Sequence, residues 1–169
     1  MMVKMTKKQY ETLASYIKNN KRLYRSLSEC YKSTPIIMAI VFLITGLYTA
    51  FFLPDKLIRF LLIPLFTFCA VSLIRRVINR ERPYDRFNIP PVFEYQSGKG
   101  KSFPSRHTAS AVIIAMACLY INITIGILMS VLAIIVGMVR VLTGMHYVTD
   151  VIGAIVMAFL VGMLGFWLI

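Results

Sequence analysis

The chain contains two histidines, His107 and His146, and both stand at the ends of long apolar runs. Asp150 follows His146 by four residues. On a helix that spacing sets both side chains on one face. A carboxylate there can hold one imidazole nitrogen and fix the tautomer, leaving the other nitrogen as nucleophile or base. Arg140 precedes His146 across five intervening residues, and two further blocks carry similar chemistry: Arg75-Arg76-Val77-Ile78-Asn79-Arg80-Glu81-Arg82-Pro83 and Pro104-Ser105-Arg106-His107. Arg75, Arg82, Arg106 and Arg140 offer planar donor forks suited to phosphate oxygens. Ser105 is a good helix N-cap, and a helix start is an anion site through its backbone amides. His107, one residue into that first turn, is placed to protonate a leaving oxygen. Singly, such a His is an interfacial residue, such an Arg a topology signal, and Asp150 a helix cap. Convergence of all of them on one face is what points to a site.

That convergence depends on the elements between the blocks. Residues 35–53 are uncharged, and 19 residues at about 1.5 Å each span about 28 Å, close to a hydrocarbon core. Pro54-Asp55-Lys56 is expected to form a tight connection. Residues 57–74 form a second apolar stretch, with Arg59 able to snorkel and Pro64 able to kink it. Residues 75–104 collect charge, proline and glycine and are expected to form a long polar loop. Residues 108–139 are uncharged for 32 positions, too long for one ordinary span. A break near Asn122-Ile123-Thr124 predicts two helices, roughly 105–121 and 123–145. Residues 151–169 complete the set. Five membrane helices result, and the third block returns to the face of the first two. Without the break, Arg140 would lie on the opposite face and the site would not assemble.

Composition agrees with this class. The 169 residues are 58% hydrophobic and 15% charged, with a mean hydropathy of +0.72. A soluble domain is about half apolar and a quarter charged, and a disordered chain is poorer still in apolar residues. The fold class is therefore all-α, an integral membrane helical bundle of about five transmembrane helices with an N-terminal amphipathic helix. Two regions follow: 1–34, a basic amphipathic segment, and 35–169, a membrane-embedded domain. In the first, Tyr10, Leu13, Ile17 and Tyr24 recur at roughly helical spacing among Lys and Arg, as in a helix lying in the head-group region. The segment has no apolar stretch of the leader type, so no cleavable signal is expected. The net charge of +12 flanks apolar spans, which favours membrane lipids or an anionic substrate as partners over nucleic acid. Cys30, Cys69 and Cys118 show neither disulfide nor metal spacing, and no acidic cluster suited to magnesium is present.

The three blocks resemble the signature of the type 2 phosphatidic acid phosphatase superfamily, shared with the vanadium haloperoxidases. In that pattern a basic residue is followed after six residues by Arg-Pro, then by Pro-Ser-Gly-His, then by Ser-Arg, five residues, His, three residues and Asp. Arg75 and Arg82-Pro83 match the first part, Pro104-Ser105-Arg106-His107 the second with one change, and Arg140, His146 and Asp150 the third. Arg75 stands where Lys is commoner, Arg106 replaces the Gly, and Val139 replaces the Ser before Arg140. The resemblance covers about 70–169; family members often have six membrane helices, and the first is expected to be missing here, with the basic amphipathic segment standing before the second.

The resemblance implies a lipid phosphate phosphatase. His146 would be the nucleophile that becomes a phosphohistidine, Asp150 its orienting carboxylate, and His107 the general acid. Arg75, Arg82, Ser105 and Arg140 would hold the phosphoryl oxygens. Arg106 would either add a cation beside them or turn outward. No metal or cofactor is implied, because fixed arginines supply the charge stabilisation. Substrates of the undecaprenyl diphosphate, phosphatidylglycerophosphate and phosphatidate types fit. A head-group phosphotransferase and a non-enzymatic membrane protein are the alternatives, whereas haloperoxidase activity, a property of soluble enzymes, is not expected. The family precedent sets the site at the outer face of the cell membrane. The positive-inside rule sets it in the cytoplasm, because residues 1–34 carry eight Lys/Arg against two Glu on the site-bearing face. The family precedent is adopted here. The sequence leaves the oligomeric state open.

Overall fold

A computed structural model describes residues 6–93 and 100–168. Helix α1 is Lys7–Asn19, opened by a capping box in which Thr6 and Gln9 satisfy each other's backbone amides. Asn20 leaves the helical conformation and caps the next helix, accepting from the Leu23 amide at 3.1 Å. Helix α2, Lys21–Phe52, has 32 residues and is about 48 Å long, longer than a hydrocarbon core of about 30 Å. It runs through Pro35. The boundary expected between a basic segment and a first span is thus no break in the backbone. One helix carries the exposed Lys21, Arg22 and Arg25 at one end and an apolar span at the other. The expected N-terminal amphipathic helix within 1–34 is instead divided at Asn20, and its residues 1–5 lie outside the described residues.

Helix α3, Pro54–Ile78, starts on a proline at its first turn, where the missing amide costs nothing. The expected Pro54-Asp55-Lys56 connection is therefore part of a helix, and Leu53 alone makes the turn. Asn79, left-handed at φ 42°, ends α3. A short helix α4, Pro83–Phe87, lies in the polar loop; the rest of that loop over 94–99 lies outside the described residues. Helices α5, Arg106–Ile121, and α6, Ile123–Leu142, are separated by an extended Asn122 that caps α6 through the Ile125 amide. The expected break is found at this residue. Helix α7, Val148–Met163, continues into a π-helical turn, Leu164–Leu168.

Among the described residues, four helices are long and apolar enough to cross a membrane, those built on α2, α3, α6 and α7. The shorter α5, about 24 Å at 16 residues, is the fifth apolar helix and packs against α2, α3, α6 and α7. Its Ala109, Ile113, Met116 and Ala117 join Phe60, Val71, Ala154, Ala158 and Phe166 in one core cluster. Its other side, Ala111, Ala115 and Cys118, packs with Met38, Met129, Ala133 and Val136. Small residues on α5 and α7 let the backbones approach closely. Large apolar side chains such as Leu43, Leu47, Phe51, Phe66, Val77 and Leu128 are exposed, as the outer surface of a bundle in lipid requires. The protein is an all-α membrane helical bundle.

A third cluster lies at the polar end. Tyr10, Ala14 and Ile17 of α1 are buried against Tyr84, Val92, Phe93 and Met145. The apolar face of α1 covers the loops that carry the sequence blocks.

Candidate active site

His146 sits in the turn between α6 and α7. That turn folds back on the end of α6: the amides of Met145 and His146 donate to the Arg140 carbonyl at 3.1 and 3.2 Å, and Thr143 Oγ1 donates to the Val139 carbonyl at 2.7 Å. The fold-back needs a left-handed residue, and Gly144 supplies it at φ +69°. His146 is therefore not on a helix with Asp150, as the four-residue spacing suggests. Asp150 is in the first turn of α7, where Oδ2 accepts the Tyr147 amide at 3.0 Å. This capping contact turns the carboxylate back over the helix start, within 3.5 Å of His146 Nδ1. The pairing survives for a different local reason.

The carboxylate is held from two more directions. Arg80 Nη1 donates to Asp150 Oδ1 at 2.7 Å and to Thr149 Oγ1 at 2.8 Å, with its guanidinium 4.2 Å from the centre of the Tyr147 ring. Ser102 Oγ donates to Asp150 Oδ2 at 2.5 Å and lies 3.5 Å from His146 Nδ1. The Ser102 amide in turn donates to the Arg80 carbonyl at 2.8 Å. With Nδ1 donating towards the carboxylate, Nε2 is left as the unprotonated nitrogen.

The remaining predicted residues lie around this pair. Arg75, in the last turn of α3, donates to the Pro104 carbonyl at 2.8 Å. The Ser105 amide donates to the Asp150 carbonyl at 3.0 Å. All three blocks thus meet at one end of the bundle. Arg82 donates from Nε to the Gly100 carbonyl at 3.3 Å, and the Gly100 amide donates to Asp85 at 3.2 Å. Arg140 stacks 4.0 Å from the centre of the Tyr31 ring. Arg75, Arg82, Ser105, Arg140, His146 and Asp150 are all buried. Ser105 occupies the N-cap position, but its hydroxyl pairs with Thr108 Oγ1 at 2.9 Å and makes no cap bond to the helix amides. His107, in the first turn of α5, lies within electrostatic reach of Arg140, His146, Arg106 and Arg75. His107 is half-buried, and Arg106 is exposed, its guanidinium 5.5 Å from the centre of the Phe68 ring.

Phe103 secures the second block. Its ring lies on Gly153, where a Cβ would come within 2.5 Å of Cε2. A glycine one turn after Asp150 thus lets the Ser102–Ser105 loop lie directly on α7.

Burial pushes the His146 imidazole down to about 4; the hydrogen bond to Asp150 opposes this, and the Arg82 charge adds to it. The imidazole is neutral at neutral pH, as a nitrogen nucleophile must be. Two cavities flank the histidines. One of about 310 Å³ is bordered by His146, Pro83, Gly144 and Tyr147 and roofed by Gln9 and Leu13 of α1. The other, about 220 Å³, is bordered by His107, Arg106, Phe68, Pro35 and Met38. Among the described residues, no group of three or more His, Cys, Asp or Glu side chains gathers. Arg80 and Ser102 are the residues that sequence reasoning missed. Arg80 lies inside the first block and Ser102 two positions before Pro104, and no spacing in one sequence singles them out.

A bundle of apolar helices with Arg, Ser-His and His-Asp blocks joined at one end fits the family that the sequence motifs resemble. Residues 56–169 match the family model described as PAP2 superfamily, and the chain belongs to that family. Undecaprenyl-diphosphatase BcrC from Bacillus subtilis (strain 168) is 33% identical over 94 residues, 56% of this chain and 48% of that protein. The match thus spans about half the length of that curated relative. The crystal structure of Aquifex aeolicus LpxE superposes with a TM-score of 0.61 at 18% identity, covering 86% of this chain and 93% of that one. The first transmembrane PAP2 type phosphatidylglycerolphosphate phosphatase from Bacillus subtilis gives 0.48 at 23% identity, covering 92% and 89%.

Proposed function

We propose that the protein is an integral-membrane lipid phosphate phosphatase that works through a phosphohistidine. The observation that carries this reading is the buried His146 imidazole, its Nδ1 held towards Asp150 and within electrostatic reach of Arg82 and Arg75. Nε2 attacks the terminal phosphorus while the bond to the leaving oxygen breaks, and His107, which takes up a proton when the anionic phosphate binds beside it, gives that proton to the leaving oxygen. Water then attacks the phosphohistidine, giving its proton to His107; inorganic phosphate departs and Nε2 regains its lone pair. Arg75, Arg82 and Arg140, with Ser105, hold the phosphoryl oxygens. Developing charge is met by fixed guanidiniums, so the reading needs no metal. Asp150 stabilises the charged imidazole, and Arg80 and Ser102 hold Asp150. The site opens at the membrane boundary, where a lipid presents its head group, and we assign it to the outer face of the cell membrane. The undecaprenyl-diphosphatase activity of the BcrC relative favours an isoprenoid diphosphate among the candidate lipids.

The test is phosphate release by the detergent-solubilised protein from undecaprenyl diphosphate, phosphatidylglycerophosphate and phosphatidate, with and without EDTA. At least one lipid should release phosphate in EDTA. His146→Ala should lose several orders of magnitude in rate while keeping the elution profile of the wild type. Residual turnover above about one percent, or activity only with added metal, removes His146 from the nucleophile's role.

A further inference from the structure

Arg106 lies outside the buried arginine group, yet it shares a cavity with His107. That cavity is a cleft between helices, walled by Pro35 and Met38 of α2, Phe68 of α3, Ile114 of α5 and Val136 of α6. Its polar contributions come at one end, from Arg106, His107 and Ser110. Its volume of about 220 Å³ equals roughly seven waters at ~30 Å³ each. That admits a head group's linking atoms and the first carbons of a chain, the rest lying in the bilayer.

In-line displacement fixes what lies here. The reading above sets the nucleophile, His146, on one side of the phosphorus and the proton donor, His107, on the other. His146 borders the cavity beneath α1, and His107 borders the cleft. The departing group therefore lies in the cleft. From a lipid monophosphate the departing group is an alcohol, which has no use for a second cation. From a lipid diphosphate it is a phosphomonoester, which carries negative charge into the cleft beside Arg106. The Phe68 ring beneath the guanidinium braces it while leaving its in-plane donors to an anion.

We infer that this cleft is a leaving-group subsite for a lipid diphosphate, and that Arg106 binds the phosphate that stays on the lipid. The inference rests on the phosphatase reading and deepens it by naming the substrate class.

The experiment compares a polyprenyl diphosphate with phosphatidate in the same micelles. It uses the full chain and its Arg106→Gln and Arg106→Lys variants. The wild type should favour the diphosphate in kcat/KM. Arg106→Gln should lower that preference by roughly 5- to 150-fold, and Arg106→Lys should restore part of it. An unchanged ratio, with both rates falling together or neither moving, overturns the assignment of Arg106. A wild type that releases phosphate from neither lipid overturns the phosphatase reading instead, and the inference with it. A second measurement needs no variant: a polyprenyl monophosphate should inhibit diphosphate hydrolysis more strongly than the alcohol of the same chain. Equal inhibition by the two overturns the subsite.

Discussion

Asp150 is the junction of the site because its two oxygens serve different masters. Oδ1 takes Arg80, and Oδ2 takes Ser102 and the Tyr147 amide with the His146 imidazole close by. Hydrogen bonds to a charged group contribute about 1.5–3 kcal/mol each. Ser102→Ala is therefore expected to lower kcat about 10- to 150-fold with little change in KM, since Ser102 acts on the imidazole through the carboxylate. Arg80→Lys should be milder than Arg80→Gln, because the charge facing Asp150 remains. Steady-state kinetics on the purified variants check both, and an effect confined to KM would count against a positioning role. The imidazole makes a second expectation. With its folded value near 4 and an ordinary value of about 6.5, the unfolded chain takes up the proton first as pH falls. The group's contribution to stability is intact above about 6.5 and is lost as pH falls towards 4. In a His107→Gln background, NMR titration of the one remaining imidazole should give a midpoint near 4. A midpoint at 6 or above would mean that the ring is solvated.

Helix α1 has the pattern of a surface-lying amphipathic helix, and its partner is the protein's own loops. Tyr10 lies against Gly144, so close that a Cβ on the glycine would stand 2.0 Å from Tyr10 Cε2. The helix thus presses on the turn that carries His146. Gly144→Ala meets both that clash and the left-handed backbone at φ +69°. It should cost a few kcal/mol and depress activity, and Tyr10→Ala should relieve only the clash. Thermal unfolding of the single and double variants in detergent would show this as non-additivity. The Tyr10 hydroxyl is buried and has no hydrogen-bond partner among the described residues. Burial, with Tyr84 nearby, pushes it up to about 12, so it stays protonated. Tyr10→Phe removes an unsatisfied group and should be neutral or stabilising by about 1 kcal/mol. A clear loss of stability there would reveal a partner for the hydroxyl.

The molecule as a whole is a belt of exposed apolar side chains capped at one end by a polar, basic region. Exposed Lys and Arg on α1 and the first turns of α2 share that end with the site. Local charge therefore argues for the cytoplasmic face and the assignment above for the outer one. A chain with Cys30, Cys69 and Cys118 replaced and Lys21→Cys introduced decides between them. A membrane-impermeant maleimide should label it in intact cells; labelling only after lysis would move the site inside.

Hydropathy runs determined which segments cross the membrane. One asparagine, too polar for the middle of a span and able to cap a helix, determined where residues 108–139 divide. The types and spacing of Arg75, Arg82, Ser105, His107, Arg140, His146 and Asp150 carried the family resemblance, because local periodicity and polarity are properties of a short stretch of chain. Other features belong to the folded molecule alone. Arg80 reaches Asp150 across 70 positions only because α5 and α6 carry the chain out and back. His146 meets Asp150 through a glycine turn and a capping contact, whereas the sequence spacing suggested a shared helix face. Helix α1 covers loops that its own amphipathic pattern does not distinguish from lipid. Arg106 parts from its neighbours because the first turn of α5 sends His107 towards Arg140 and His146 but leaves Arg106 exposed over Phe68. Each of these is a contact between segments remote in sequence, and its geometry exists only once the helices have packed.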